Sequence, residues 1–231
     1  PGQPKGSLKQ RVGDLYASGM DSMTIEKRGY SPIKPDLQRI NQIRDLNGVI
    51  NELTYDRVNG IASPLFGFGV GQDSKHPTKN IVFIGAGGTS LPDRDYYLKN
   101  DPRTLKIQDA YRNYIVTLFT LAGVSTDQAA KNAATIFNIE KQLASAQLSR
   151  VELRDPNKTY NKFAVNDLNK TTPNLNWTSL LVKLRTGCQD SGLVSLPAFL
   201  TPADVMHVSV RTADWKVYLE ANTVRNAARP V

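Results

Sequence analysis

Few side chains in this chain of 231 residues are of a type that makes or breaks bonds, and their spacing decides what they could do. There are two histidines. His76 lies beside Pro77 in a polar stretch, and His207 lies within Val205-Met206-His207-Val208. Metal-assisted hydrolysis would need them to converge with a third ligand, and neither sits in an HExxH or HxH spacing. They are expected in an exposed loop and on a partly buried helix face. The one cysteine, Cys188, excludes an internal disulfide and a Cys-rich zinc site. With Leu181 and Leu184 upstream it reads as a passive small residue. No GxSxG elbow supports a serine nucleophile. Gly85-Ala86-Gly87-Gly88 follows a strand-like run but lacks the third glycine of GxGxxG, and it is expected to be a flexible turn.

The densest remaining run is Leu91-Pro92-Asp93-Arg94-Asp95-Tyr96-Tyr97-Leu98. Pro92 stiffens the backbone, and the two aspartates can cap N–H groups or hold Arg94 between them. Tyr96 and Tyr97 bring apolar faces with hydroxyl tips. Such a run fixes a junction and does not cut bonds. No residue of the chain is expected to be catalytic, to ligate metal or to bind a cofactor.

Composition bounds the alternatives. Forty per cent hydrophobic and 22% charged residues describe a folded chain, not a disordered one. The net charge of +8 invites nucleic acid as a partner. Yet the basic residues are interleaved with acids, as in Glu26-Lys27-Arg28, and no basic run of five occurs, so no nucleic-acid partner is expected. There is no apolar run of roughly 18 residues to span a membrane.

These residues must be positioned by helices for the most part. Asp101-Pro102 is an N-cap with proline at the first helical position. Behind it Ile107, Ala110, Tyr111, Tyr114, Ile115, Leu118, Phe119 and Ala122 form one apolar stripe, closed by Gly123. Ser125-Thr126-Asp127-Gln128 reads as a capping box for a second stripe through Ala129, Ala133, Ile136, Phe137, Glu140, Leu143, Ala144 and Gln147. So short a turn between two such helices makes a helical hairpin. In the N-terminal third, Leu8, Val12, Leu15 and Tyr16 make a stripe. Asp21 caps a short helix, Pro35 opens a third and Asn47 a fourth. Further helices are expected from Trp177, from Thr201-Pro202 and over Ala213–Asn222. Only Leu65–Val70 and Asn80–Ile84 read as strands, flanking a loop-like Gln72–Lys79. The expected fold is mainly α, a helical lid-type domain with a small inserted β-hairpin near residues 64–84.

The run Leu91 to Leu98 also resembles a signature of the neprilysin family of zinc metallopeptidases, in which "GLPDRDYYL" is typical. Family-like strings recur in family order: "VGDLYASGMDSMTIEKRGYSPIKPDLQRIN" at 12–41, "SPLFGFGVGQDSKHPTKNI" at 63–81, "IFNIEKQLASAQLSRVELRDPNKTYNKF" at 136–163 and "DWKVYLEANTVRNAA" at 214–228. The family usually carries an aromatic near Ala221, and Arg185–Met206 matches it poorly. The resemblance implies a division of labour. One lobe holds zinc on HExxH plus a downstream glutamate; a second, helical lobe covers the site and admits only oligopeptides. Residues 1–231 match the helical lobe, as one domain and a piece of a larger two-lobed peptidase. No catalytic, zinc or cofactor residue carries over, so zinc belongs to the parent's other lobe. Partners are then that catalytic lobe and oligopeptide substrates, and the location is extracytoplasmic. The fragment alone is expected to be inactive. The alternatives from other classes are a standalone helical module binding peptides or proteins and a basic nucleic-acid binder.

Overall fold

Polar caps set where the helices start. In the computed structural model, which describes residues 2–61, 65–186 and 190–228, Ser7 accepts from the Gln10 amide ahead of α1 (Leu8–Met20). Asp21 does the same for Thr24 ahead of α2 (Ser22–Arg28). α3 (Lys34–Asn41) opens with Pro35 in its first turn. α4 (Leu46–Val58) is capped by Asp45 and not opened at Asn47, because the Asp45 carboxylate reaches the Gly48 amide at 2.8 Å.

The ribbon follows. β1 (Phe66–Asp73) and β2 (His76–Ala86) are antiparallel, with Phe68 opposite Ile84. The stretch expected as a loop, Gln72–Lys79, is mostly strand. Asp73 accepts from the Lys75 amide and tightens the turn around Ser74 and Lys75, and a register shift beyond Gln72 takes up the extra residues. Then come α5 (Asp95–Leu98), α6 (Pro102–Leu121) and α7 (Thr126–Ser145). α8 (Pro156–Thr159) leads into β3 (Asn161–Ala164), followed by α9 (Val165–Thr171) and α10 (Trp177–Lys183). β4 (Ser191–Val194), α11 (Pro197–Ser209) and α12 (Thr212–Ala227) close the described chain. The fold is mainly α, as expected, but the hairpin is half of a four-stranded sheet in the order β1-β2-β4-β3. β4 runs parallel to β2 and antiparallel to β3. "NKFA" and "SGLV" are too short to show a period, and only tertiary pairing makes them strands.

Two helix signals shifted. α11 starts at Pro197, and Pro202 lies inside it. Ser125 stands at the N-cap of α7 with extended backbone, but its hydroxyl makes no cap bond; Gln128 instead donates to Asn132 at 2.9 Å. The α7 stripe is buried along its length. On α6 the buried face is rotated: Thr104, Gln108, Tyr111, Ile115, Leu118 and Phe119 face inward while Ala110 and Tyr114 face water. Gln108 can be inside because its amide donates to the carbonyls of Tyr96 and Lys99. α6, α7 and α12 pack together, and one apolar cluster runs from Ile40 through Phe137 and Trp177 to Leu219.

Candidate functional site

The residues of chemical type converge where α5, α7 and α12 meet. Glu140 occupies a position on the α7 stripe and is 1% exposed. A carboxylate there must be satisfied internally. Tyr97 donates to its Oε2 at 2.7 Å and Tyr111 to the same oxygen at 2.8 Å. The Ser90 hydroxyl donates to Oε1, and the Arg225 guanidinium lies 3.7 Å from Oε1. Burial pushes the Glu140 carboxyl above its usual range against the pull of these donors. Burial, then the neighbouring Glu140, raises both tyrosine hydroxyls, which therefore stay protonated as donors. Behind Arg225 the network continues. Its Nη2 donates to Asn222 at 2.9 Å, and Asn222 reaches Asp56 Oδ2 at 3.4 Å. Asp56 is fully buried; burial, and then the nearby Glu52, pushes it up to about 7. Glu52 itself is held by a two-pronged pair with Arg39, both contacts at 2.7 Å.

The signature run wraps this cluster. Leu91 packs on the core, and the amides of Ser90 and Leu91 both donate to the Tyr97 hydroxyl, at 2.9 and 2.7 Å. Tyr97 thus ties its own loop to α7, and its ring lies 5.6 Å from that of Phe137. Asp93 accepts from the Asp95 amide at 2.8 Å in the turn that leads into α5, whose N-cap position is Arg94. Arg94 is not gripped between its neighbours. It donates to the Gln147 carbonyl just past α7, while Asp93 pairs with Arg150 at 2.6 Å and Asp95 with Lys99 at 2.7 Å. The Pro92 carbonyl accepts from Arg150, and the Tyr96 carbonyl accepts from Gln108. In the sequence Glu140 stands as one more position of the α7 stripe, and an acid within an apolar stripe is the signal that could single it out.

The turn Gly85-Ala86-Gly87-Gly88 is packed instead of loose. Gly85 and Ala86 belong to β2, a Cβ on Gly87 would stand 2.8 Å from the backbone of Phe66 and Gly67, and the Gly88 carbonyl accepts from Tyr218. Ala221 lines a cavity of about 10 Å³ together with Tyr111, Glu140 and Arg225, room for one water. His76 begins β2 and is exposed, so it is a strand residue and not a loop one. His207 is buried on α11, and burial pulls its imidazole below the usual value, keeping it neutral. Cys188 lies outside the described residues. Among the described residues no three His, Cys, Asp or Glu side chains are placed to hold a metal ion. The sequence resemblance places the zinc in the parent's other lobe, so none is expected here. Nor is any described helix long and apolar enough to cross a membrane.

What the arrangement does chemically is hold itself together: Glu140 and Glu52 are filled by donors from other elements, and Asp56 faces Asn222 through Oδ2 while its Oδ1 is buried without a partner among the described residues. Comparison with known proteins agrees with a chain of this kind. The model for Peptidase family M13, in its N-terminal part, matches residues 1–230. Human endothelin-converting enzyme-like 1 is 30% identical over 195 residues, 78% of this chain and 25% of that protein. Neprilysin-3 of Drosophila melanogaster is 27% identical over 172 residues, 71% of this chain and 22% of that protein. The crystal structure of the Mycobacterium tuberculosis zinc metalloprotease Zmp1 with an inhibitor is 29% identical, with a TM-score of 0.88 over 98% of this chain and 35% of that one. The chain thus spans a quarter to a third of the length of these relatives.

Proposed function

This chain belongs to peptidase family M13, and from that membership we propose that it is the non-catalytic helical lobe of a two-lobed zinc metalloendopeptidase. In the parent it forms one wall of the chamber around the zinc site and admits flexible oligopeptides while excluding folded proteins. The zinc and the residues that activate water belong to the other lobe, and the chain alone is inactive. An extracytoplasmic location goes with this assignment. One observation supports it: the buried acid and its hydroxyl and guanidinium neighbours in the α7 cluster are spent on internal bonds. Glu140, Tyr97, Tyr111 and Arg225 close on one another beneath the surface. That suits a rigid wall, since a wall filters by shape and needs packing in place of reactive groups.

The experiment is a substrate-length series on the full parent polypeptide. Peptides of rising length and a folded protein of the same cleavage sequence are compared for kcat/KM. We expect cleavage to fall steeply once the substrate is folded and to return when the same protein is unfolded. Equal cleavage of folded and unfolded substrate contradicts the filter.

A further inference from the structure

The helices α1 and α2 bury no residue of their own, yet they are amphipathic. Leu8, Val12, Leu15, Tyr16, Met20 and Met23 recur at three- and four-residue steps. Leu8 is 76% exposed, Tyr16 70% and Met23 84%. The opposite side is polar, with Gln10 donating to Asp14 at 2.9 Å. The arm rejoins the body near Tyr30, whose hydroxyl lies beside Gly123 in the turn between α6 and α7. All six are more than half exposed across the two helices, a cluster rather than the scattered single apolar residues of an ordinary surface. Helices of 13 and 7 residues do not hold in water on propensity alone.

We propose that this stripe docks, in the parent, against a part of the same polypeptide lying outside residues 1–231, so that the arm is a strap joining this lobe to the rest of the peptidase. The inference rests on the proposed reading of the chain as one lobe of an M13 peptidase. Two observations favour an occupant in cis. This chain spans only 35% of the Zmp1 chain, so most of a related protein's apolar surface is not represented here. The likeness to that structure covers 98% of this chain, the arm included, so helices that bury nothing here follow a related path in a chain that has more to cover them. A membrane surface suits the arm less well. Lys9, Arg11, Lys27 and Arg28 are nearly balanced by Asp14, Asp21 and Glu26, where a membrane-seeking helix carries a basic polar face.

Hydrogen exchange on the full parent and on this 231-residue chain tests the strap. In the isolated chain the amides of residues 8–28 should exchange almost unprotected, and in the parent at least about 100-fold more slowly, a drop that tracks stabilisation by packing. The double change Leu15→Ser with Tyr16→Ser should return the parent's arm to the unprotected rate and leave the thermal midpoint of the isolated chain unmoved. Equal exchange of the arm in both proteins, with the parent still binding zinc and cleaving peptides, overturns the strap and leaves the assigned function standing. A parent that binds no zinc and cleaves nothing overturns the function instead, and its arm protection still decides the docking. Arm protection that appears in the isolated chain as its concentration rises, or only on adding phosphatidylglycerol vesicles, also overturns docking in cis.

Discussion

The α7 helix and the α1 helix look alike on paper, each an apolar stripe at helical spacing behind a polar cap, and they end in opposite environments. α7 has Ile136, Phe137, Leu143 and Ala144 sealed against α5, α6 and α12. α1 has its whole stripe in water. The difference teaches that periodicity shows a helix has a face to cover but not what covers it. A second contrast lies within the buried half. Around α7 the acids are bound by donors from distant segments, whereas on the arm Asp14 and Asp21 bond only to residues three or four positions away. Long-range bonding marks the part of the chain that stands on its own.

Four changes sharpen or break this contrast. Phe137→Ala should cost the most, about 3–5 kcal/mol, because the ring is buried, packs on Tyr97 and lies 4.0 Å below the Arg112 guanidinium. Chemical denaturation of the isolated chain measures it, and an unchanged midpoint means the α7 stripe is not core. Glu140→Gln should cost about 1–3 kcal/mol, since an amide N–H₂ put in place of an acceptor oxygen confronts hydroxyl donors and leaves Arg225 without its counter-charge. No loss would mean that the network is ornamental.

Asp56 gives the third, a dependence on pH. Its folded carboxyl is raised to about 7, so the folded state holds a proton that the unfolded chain releases near the ordinary carboxylate value. Its contribution is fully present below that ordinary value and is lost as pH rises through about 7. Asp56→Asn should therefore gain stability relative to the parent sequence at pH 8, on the order of 1–2 kcal/mol, with little difference at pH 4. Thermal midpoints at the two pH values measure it; an equal shift at both contradicts the assignment. Smallest of the four is Leu15→Ala on the arm. In this chain it should change stability by less than about 0.5 kcal/mol, the size of an ordinary surface change. A loss like that of Phe137→Ala would erase the contrast between the two stripes.

How much of this was legible beforehand follows from range. Caps and stripes are local, so α1, α2, α3, α6, α7, α10 and α12 could be placed, and the strand-forming run at Asn80–Ile84 stood out by its β-branched residues. What was missed depends on partners far away in sequence. β3 and β4 exist only because they pair with each other and with β2. Arg94 looked clamped by its neighbours because they are adjacent, but short side chains next to each other on a turn point apart, and its bond is to Gln147, 53 positions on. Glu140 passed as one more stripe residue, since nothing local says that Ser90, Tyr97, Tyr111 and Arg225 will meet it. The family strings, by contrast, reached across the chain and led to the same helical lobe as the fold.

The central claim is that the chemistry of the parent lies outside this chain. Its most direct test is made on the purified 231-residue protein: elemental analysis for zinc after dialysis, together with hydrolysis of an oligopeptide in added zinc. Less than a tenth of a zinc per chain and no hydrolysis above background are expected, because the described donors form no site that could retain the ion. One tightly held zinc per chain with peptide turnover would contradict the account.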